Sequence, residues 1–406
     1  MLQPDHFRDL LTEWPPEKVQ ALLLSRTGRD VTAALGASGR FDPNRLAALV
    51  SPAAEPFLEP LAQLSAQWTR QRFGNAIQFF APLYVSNYCC NGCLYCGFNR
   101  TTQNTVRRAL TIDEAVAEAE CLASQGFGHI LLVAGEDLKN TPPAYFAELA
   151  RRIRPHFASV QIEIYSLSRE DYTLLADAGV DGMTMFQETY NPAVYAYYHP
   201  SGPKRDYANR IDSFERAAQA GMTFVGLGSL LGINDWREEA FYLGLHAAYL
   251  QKRYWRTAVA ISFPRMRPAH GGQPPAQPVS DANLVQLICA LRTQLPDVTM
   301  TLSTRESAGF RERLVCLAVT KLSAGAKTTP GGYTGKTEAE AQFEVADQRP
   351  LHEVASAINE LGFDPVMKDW DRAYVNCLTS PSPRANKMQG NGSVSGICGF
   401  SVNRRT

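Results

Sequence analysis

The sequence predicts an α/β protein whose central part is a (β/α)8 barrel of the TIM type, with a helical extension before it and a short extension after it. Eight short apolar runs alternate with amphipathic helical segments between residues 76 and 330. Several of these helical segments end on a glycine, as at Gly126, Gly179 and Gly221. A doubly wound open sheet is the structural rival, but eight regular units favour the closed barrel. The predicted strands cover residues 77–87, 129–137, 160–168, 182–189, 222–232, 258–266, 298–306 and 317–325.

Polar side chains follow several of the predicted strands at the point where each strand ends. Barrel enzymes carry their reactive groups at the carboxyl ends of the strands. We therefore expect the functional site on that face of the barrel. The polar residues in question are Cys89 to Cys96 after the first strand, Glu136 after the second, Glu188 after the fourth, Arg265 after the sixth and Arg305 after the seventh.

The segments on either side of the barrel have different compositions. Residues 1–75 show leucines at helical spacing behind Pro or Asp and are predicted to form a helical extension. The barrel is assigned to residues 76–330. Residues 331–376 are assigned to a C-terminal segment with a helix, a glycine stop and a short strand. Residues 377–406, rich in Ser, Pro, Gly and Asn, are predicted to be a flexible tail.

Charge and composition favour small-molecule chemistry. Lys and Arg number 40, as do Asp and Glu, so the formal net charge is +0 and neither nucleic acid nor an anionic membrane is an expected partner. The sequence shows no secretory signal and no apolar run long enough to span a membrane, so we expect a cytoplasmic protein. In that reducing compartment nine cysteines indicate metal binding, catalysis or burial. Cys121, Cys289 and Cys316 stand alone in helical stretches and are predicted to be buried.

The stretch SNYCCNGCLYCGFNR, residues 86–100, places four cysteines within eight positions. Cys89, Cys93 and Cys96 form C-x3-C-x2-C, and Cys90, Cys93 and Cys96 form C-x2-C-x2-C. A structural zinc site would need a second Cys/His pair, and a ferredoxin-type carrier would continue to a Cys–Pro. The sequence provides neither, which disfavours both. Three thiolates on a tight loop fit a [4Fe–4S] cluster that keeps one iron open for another ligand.

C-x3-C-x2-C with Tyr95 just before its last cysteine resembles the signature of radical S-adenosylmethionine (SAM) enzymes. The resemblance implies that Cys89, Cys93 and Cys96 bind three irons and that SAM binds the fourth through its amino and carboxylate groups. An electron from a low-potential donor of the flavodoxin or ferredoxin type would cleave SAM to methionine and a 5′-deoxyadenosyl radical. Cys90 is left over and is predicted to pack beneath the loop.

The resemblance also assigns residues to SAM, beginning with Tyr95. In VAGED, Glu136 suits the SAM ammonium, because an ammonium pairs with a carboxylate. Glu163 alternates into the barrel, where SAM ribose hydroxyls would bind it; a salt-bridged core acid is the rival. Gly226 would let the backbone approach adenine, and tight strand packing is an equal rival. Glu188, in FQETY, faces the barrel mouth by its position and is assigned as a SAM contact, with a contact to the substrate as the alternative.

Longer stretches between residues 70 and 372 resemble the aromatic-amino-acid lyase branch of this superfamily, most closely the 2-iminoacetate synthases (tyrosine lyases) of thiamine thiazole synthesis. They include LYVSNYCCNGCLYCGF, VGLGSLLGINDWREEA, LSTRES, KLSAGAKTTPGGY and PVMKDWD. The resemblance implies that the radical takes a hydrogen from the amino group of L-tyrosine. The Cα–Cβ bond then breaks to give 4-cresol and 2-iminoacetate (dehydroglycine). A thiazole synthase subunit is an expected partner.

Three residues are expected to hold the substrate. Arg305 in LSTRES is assigned as the carboxylate anchor, since guanidinium matches carboxylate bidentately, and pairing with Glu306 is the rival interpretation. Ser323 in KLSAG would add a hydroxyl bond to the same carboxylate unless it is a turn residue. Tyr84, five residues before Cys89, would lie near the substrate amino group unless it is core.

Other functions compete with the tyrosine lyase. A sibling enzyme that makes cyanide and carbon monoxide needs a C-terminal C-x2-C-x22-C, and here the last cysteines, Cys377 and Cys398, do not form it. A second sibling rearranges L-tryptophan and shares the carboxylate clamp, so it stays open. A non-enzymatic iron–sulfur electron carrier would leave Glu136, Arg305 and Ser323 without a role. A zinc-stabilised binding module is a further alternative, and it predicts a colourless protein.

Overall fold

The computed structural model describes residues 5–37, 39–335 and 337–368, and the tail with Cys377 and Cys398 lies outside them. Eight parallel strands form a closed ring, because each pairs with the next in sequence and β8 pairs back with β1. The predicted barrel is confirmed, and each predicted run overlaps one strand. The strands are β1 (Ala76–Ser86), β2 (His129–Ala134), β3 (Ser159–Glu163), β4 (Gly182–Glu188), β5 (Phe224–Ser229), β6 (Ala258–Ser262), β7 (Thr299–Leu302), β8 (Lys321–Ser323) and, outside the ring, β9 (Asp364–Val366).

Helices precede the barrel, connect its strands and follow it. No helix of the described residues is long and apolar enough to cross a membrane. The α-helices are α1 (Phe7–Glu13), α2 (Pro16–Leu24), α3 (Gly28–Gly36), α4 (Pro43–Val50), α5 (Leu58–Phe73), α6 (Ile112–Ser124), α7 (Pro143–Ile153), α8 (Arg169–Asp177), α9 (Pro192–Tyr198), α10 (Tyr207–Gln219), α11 (Trp236–Arg253), α12 (Asp281–Gln294), α13 (Ala308–Leu317) and α14 (Leu351–Glu360).

The first five helices occupy the predicted N-terminal extension and pack on the outside of the barrel. Helix α5 lies against α12 and α13, and α4 lies against α11 and α12. Their apolar faces are buried in the same core as the barrel strands, as Leu46, Leu49 and Leu61 show. This extension therefore covers barrel helices and adds no side chain to the cavities at the barrel mouth.

Local sequence signals set the ends of the barrel helices. At the start of α6, Thr111 and Glu114 form a reciprocal capping box, in which each side chain accepts the other's backbone N–H. After α6, α8 and α10 the chain turns through Gly126, Gly179 and Gly221, with φ of 96°, 105° and 89°. Only glycine adopts this left-handed conformation without strain, so the predicted glycine stops are confirmed.

The lone cysteines only partly follow their prediction. Cys289 on α12 is buried, Cys121 on α6 is half-buried, and Cys316 on α13 is exposed. The prediction for Cys316 was wrong because α13 buries Phe310, Leu314 and Val315. That apolar stripe directs position 316 to solvent.

The chain after β8 first crosses the carboxyl face of the barrel and then returns to its opposite end. Residues 339–347, here called the C-terminal strap, hydrogen-bond through Ala346 N and Asp347 N to Thr304 O after β7. Helix α14 ends at Glu360, the chain turns through Gly362 with a φ of 81°, and β9 pairs with Ala76–Gln78 at the start of β1. The predicted helix, glycine stop and short strand are confirmed.

A buried ion pair fixes the end of the strap. The Asp347 carboxylate is paired with Arg311 of α13, and both side chains are only 1% exposed. Arg311 also donates to the Ser323 carbonyl, which ties the strap to β8. Arg349 adds a second, half-buried cation at 2.9 Å from the same carboxylate.

Replacing Asp347 by Ala is expected to lower the free energy of unfolding by about 3–5 kcal/mol, because it leaves the Arg311 charge buried and unpaired. The measurement is urea denaturation followed by circular dichroism. Asp297→Ala is the matched control: it removes an ion pair with Arg72 whose side chains are 63% and 43% exposed. That change is expected to cost less than about 1 kcal/mol. Equal losses in the two variants would show that burial does not govern the pair.

Candidate active site

The cysteine loop leaves β1 at the carboxyl face of the barrel, where the sequence placed it. The thiols of Cys89, Cys93 and Cys96 are free and line one cavity, here called the outer cavity. Cys93 is buried, and the other two are half-buried. Cys90 is exposed and does not line the cavity, so the prediction that it packs beneath the loop was wrong. Its backbone amide donates to Glu136 O at 2.8 Å, so the main chain of Cys90 is held against the end of β2 while its side chain is exposed.

Backbone and side-chain amides point at two of the three sulfurs. Phe98 N donates to Cys96 Sγ at 3.4 Å, and Asn91 Nδ2 donates to Cys89 Sγ at 3.6 Å. N–H groups of this kind stabilise sulfur when it carries negative charge. Burial raises the pKa of Cys93 to about 12 and that of Cys96 to about 11. Without a bound cation these groups are thiols, and a soft metal would convert them to thiolates.

The three thiols fit a cluster. In the described part of the chain no group of three or more His, Cys, Asp or Glu side chains is arranged to hold a single metal ion. A [4Fe–4S] cluster makes a different demand, because each thiolate binds a different iron and the sulfurs need not converge on one point. Three sulfurs on one buried loop, two with N–H donors and all facing a cavity, meet that demand.

The strand after α6 brings a carboxylate beside the loop. Glu136 lines the outer cavity and accepts a hydrogen bond from Asn91 Nδ2 at 2.7 Å. Its neighbour Gly135 passes so close to the loop that a Cβ there would lie 2.4 Å from Tyr88 O and 2.9 Å from Cys89 Cβ. The glycine of VAGED is thus required for strand and loop to pack together.

A second carboxylate, that of Glu188, lines the outer cavity together with two cations, Lys204 and Arg210. Glu188 accepts from Lys204 Nζ at 2.6 Å, and its carboxylate lies 3.7 Å from Arg210. Burial acts to raise the pKa of Glu188, but Lys204 and Arg210 hold it below its ordinary value. The residue has a φ of 69° at an irregular position of β4, a strained conformation typical of functional sites. Two cations against one carboxylate leave this wall positively charged.

Tyr95 belongs to the same wall. Its hydroxyl lies 2.8 Å from His199 Nε2 and 3.1 Å from Lys204 Nζ. Lys204 in turn donates its backbone N–H to Asn91 Oδ1 at 2.9 Å, which closes a hydrogen-bonded ring around the cysteine loop. The predicted cofactor residues Tyr95, Glu136 and Glu188 are therefore brought together at one cavity.

A second cavity, here called the inner cavity, lies within the barrel and shares part of its wall with the outer one. Their common lining residues are Val133, Glu163, Phe186, Arg305 and Phe343. Glu163 thus points into the barrel as its alternation predicted, and burial raises its pKa to about 7. In the described residues no cation lies within salt-bridge distance of Glu163, so the rival interpretation of a salt-bridged core acid is not supported.

The side chain of Arg305 donates from Nη1 to the Arg265 carbonyl at 3.4 Å, and its other N–H groups can serve a substrate carboxylate. The carboxylate of Glu306 is occupied by Arg265, whose Nε lies 2.8 Å from it, so the rival pairing for Arg305 does not form. Within the described ranges no acidic side chain forms a salt bridge with Arg305. Its guanidinium lies over the Phe343 ring, 3.4 Å from the centroid, and burial lowers its pKa. Arg265, although at a strand end, serves this structural pair and lines neither cavity.

Tyr84 and Ser323 line the inner cavity near Arg305. Tyr84 is buried and donates its hydroxyl proton to Gln342 Oε1 at 2.7 Å. Ser323 Oγ accepts from Thr304 N at 3.2 Å, which leaves its own proton available for another acceptor. Deeper in this cavity lie Phe80 and Phe224, and the Lys321 ammonium is 5.1 Å and 4.8 Å from their ring centroids.

Gly226 is not brought to either cavity. A Cβ at this position would lie 2.5 Å from Thr184 Oγ1, so close packing between β4 and β5 explains the glycine. The rival interpretation accounts for it, and a contact with adenine stays a prediction without structural support.

Sequence reasoning missed several residues of the site. Lys204 and Arg210 lie in HPSGPKRDYANR, a stretch whose length and register relative to the strands gave no sign that its cations turn inward. Gln342 and Phe343 come from the strap, which crosses the site from far along the chain. Asn91, between the second and third cysteines, could have been found from its loop position, since a short polar side chain there can reach the neighbouring sulfur.

Comparisons with known proteins agree with this geometry. A model of the Radical SAM superfamily matches residues 83–242, and a model of the Biotin and Thiamin Synthesis associated domain matches residues 262–364. The 2-iminoacetate synthase of Salmonella typhimurium is 42% identical over 370 residues, which cover 90% of this chain and 96% of that protein. The 2-iminoacetate synthase of Escherichia coli is 40% identical with the same coverage.

Among solved structures, the crystal structure of HydG, a maturase of the [FeFe]-hydrogenase, matches with a TM-score of 0.81 and 32% sequence identity. The match covers 90% of this chain and 84% of that chain. It extends well beyond the barrel, since residues 76–330 make up less than two thirds of the 406 residues.

Proposed function

The chain belongs to the 2-iminoacetate synthase family of the radical SAM superfamily, and from that membership we propose that it splits the Cα–Cβ bond of L-tyrosine into 2-iminoacetate and 4-cresol. SAM would be cleaved to 5′-deoxyadenosine and methionine in the same reaction. One observation carries the proposal: a buried guanidinium without an acidic partner in the described residues, Arg305, lies on the wall between a cysteine-lined cavity and an aromatic one.

Cys89, Cys93 and Cys96 would hold the [4Fe–4S] cluster in the outer cavity. When bound, the cluster delivers one electron to SAM and so supplies the 5′-deoxyadenosyl radical. Asn91 and the Phe98 amide would orient two of the thiolates and stabilise their charge through the hydrogen bonds described above.

The outer cavity offers complementary groups for each polar part of SAM. Glu136 would receive the ammonium group, since it is a carboxylate held in place by one amide. The positive wall of Lys204 and Arg210 would receive the carboxylate, and Glu163 would accept hydrogen bonds from the ribose hydroxyls. With these three contacts the reactive end of the nucleoside would lie near the junction with the inner cavity.

The inner cavity offers complementary groups for a zwitterionic aromatic amino acid. Arg305 would bind the carboxylate through its guanidinium edge, with the free Ser323 hydroxyl proton as a further donor. Tyr84 would contact the amino group. The aromatic ring would lie toward Phe80 and Phe224, deeper in the barrel. In this orientation the substrate nitrogen would lie beside Tyr84, whose hydroxyl bonds to Gln342 on the wall of the outer cavity, where the radical would form.

Anaerobic turnover of the cluster-reconstituted protein with SAM and dithionite tests the proposal, with tyrosine and tryptophan offered separately. We expect 4-cresol from tyrosine, together with glyoxylate from hydrolysed 2-iminoacetate. Deoxyadenosine formed only with tryptophan would move the enzyme to the sibling branch. No deoxyadenosine with either amino acid would contradict the proposal altogether.

SAM affinity is expected to depend on pH through Glu163. The carboxylate accepts ribose hydroxyls better than the neutral acid does, and its pKa is about 7. The ionised fraction therefore rises from about one tenth at pH 6 to about nine tenths at pH 8, and SAM should bind up to about tenfold more tightly over that range. Equilibrium dialysis without reductant measures it. Glu163→Gln should lose this pH dependence; the same profile in both proteins would remove Glu163 from the SAM site.

Two partners complete the proposed function. The reaction needs a low-potential electron donor of the flavodoxin or ferredoxin type. Its product, a reactive imine, is suited to direct use by a thiazole synthase subunit. The described residues show no interface that identifies either protein.

A further inference from the structure

We propose that Gln342 is a positioning residue that fixes the hydroxyl of Tyr84 as a hydrogen-bond acceptor for the substrate amino group. The inference rests on the proposed function and deepens it, because it assigns a role to the C-terminal strap. It joins the observed Tyr84–Gln342 bond of 2.7 Å to the position of Tyr84 on the inner cavity.

The first step concerns which atom donates the proton in the hydrogen bond between Tyr84 and Gln342. A phenol has one proton to donate and lone pairs to accept with. The Tyr84 proton is committed to Gln342 Oε1, so only acceptor capacity remains toward the cavity. Burial raises the pKa of Tyr84 well above its ordinary value, so the hydroxyl stays neutral and does not become a charged acceptor. An amino group donates N–H and matches this acceptor, whereas a substrate carboxylate would not.

The second step is how firmly Gln342 is held. Its backbone N–H donates to Thr328 O at 3.1 Å, and its carbonyl accepts from Gly97 N at 3.3 Å. Gly97 directly follows the last cluster cysteine. A Cβ on it would lie 2.6 Å from Ala341 O and 2.9 Å from Gln342 O, so glycine is required for the strap to approach the loop. The backbone of Gln342, whose side chain orients Tyr84, is therefore hydrogen-bonded directly to the cysteine loop.

The third step concerns the strap residue that follows Gln342. Phe343, the next residue of the strap, lies on the face of the Arg305 guanidinium and leaves its edge for a carboxylate. Adjacent strap residues thus set both ends of the substrate's amino-acid group: Phe343 at the carboxylate and Gln342, through Tyr84, at the amine. The strap holds the substrate nitrogen in a fixed position relative to the cysteine loop, which is the geometry that hydrogen transfer requires.

The test is a double-mutant cycle on the cluster-loaded, full-length enzyme. Gln342→Met has nearly the same size but no acceptor, and Tyr84→Phe removes the hydroxyl. Each is expected to raise the ratio of deoxyadenosine to cresol about tenfold, the effect of one lost hydrogen bond to a charged group. The double variant is expected to be no worse than the more damaged single variant by more than about twofold, since both changes break the same interaction.

One further variant serves as the control. Glu340→Gln on the same strap removes only a carboxylate that faces His270 at 3.4 Å, and it is expected to behave as wild type. Tyrosine binding measured with SAM but without reductant should weaken in parallel in Gln342→Met and Tyr84→Phe.

Each result decides the matter. A wild-type ratio in Gln342→Met, or defects that multiply in the double variant, would overturn the role of Gln342, while cresol formation by the wild type would keep the proposed function. If the wild type makes no cresol, the proposed function fails, and the binding series still shows whether Gln342 acts through Tyr84.

Discussion

Replacing Cys93 by Ala is expected to abolish 5′-deoxyadenosine formation. Cys93 is the most deeply buried of the three thiols, and both proposed partners lie on the same loop. With two ligands left, the cluster would lose its anchor at the buried end of the loop, and SAM would lose the iron that reduces it. The measurement is deoxyadenosine released under anaerobic conditions with dithionite, accompanied by iron content.

The neighbouring thiol supplies the control for this prediction. Cys90 is exposed and does not line the outer cavity, so Cys90→Ala is expected to keep iron content and deoxyadenosine formation close to those of wild type. The opposite result, in which Cys90→Ala loses the cluster and Cys89→Ala keeps it, would mean that C-x2-C-x2-C is the ligand set. Such a result would require a loop conformation different from the one observed.

Replacing Arg305 by Ala is expected to uncouple the two halves of the reaction. The buried carboxylate of the substrate would lose its guanidinium, which costs about 3 kcal/mol or more and corresponds to a loss of cresol formation of about a hundredfold or greater. SAM cleavage should continue, because in the described residues the Arg305 side chain forms no hydrogen bond or ion pair with the three cysteines or Glu136. The measurement is cresol and deoxyadenosine from the same reaction.

Arg305→Lys provides a graded comparison. Lysine keeps the positive charge but cannot form the bidentate pair, so we expect cresol formation between that of wild type and that of Arg305→Ala. Because Arg305 has no salt bridge in the described residues, its removal breaks no ion pair of the fold, and all three proteins should unfold at similar urea concentrations. Normal cresol output from Arg305→Ala would show that the carboxylate is bound elsewhere.

The barrel and its cysteine loop could be predicted because their signals are local. A strand of a closed barrel must alternate or be apolar, a helix must stop before the next strand, and Gly126 and Gly179 mark such stops. The three thiols lie within eight residues, so their spacing alone restricted the chemistry. Arg305 was also predictable in kind, since a guanidinium at a strand end suits a carboxylate.

Other parts of the site depend on contacts that no local pattern shows. Arg305 has no acidic partner in the described residues because its neighbour Glu306 is paired with Arg265. The roles of Gln342 and Phe343 depend on the strap crossing the barrel mouth, and residues this distant along the chain from the cysteines give no periodic signal. Gly226 shows why the sequence left two interpretations open, because a glycine in a strand serves close packing as readily as close approach to a ligand.

The most direct test of the account is the origin of the hydrogen that enters deoxyadenosine. The proposed contacts of Arg305 and Tyr84 would leave the substrate amino group, and no carbon, as the hydrogen donor to the radical. With tyrosine turned over in D2O, where the amino hydrogens have exchanged, the account predicts one deuterium in the 5′ position of deoxyadenosine. Tyrosine deuterated at Cα or Cβ should transfer none in H2O. Transfer from either carbon would contradict the proposed orientation of the substrate.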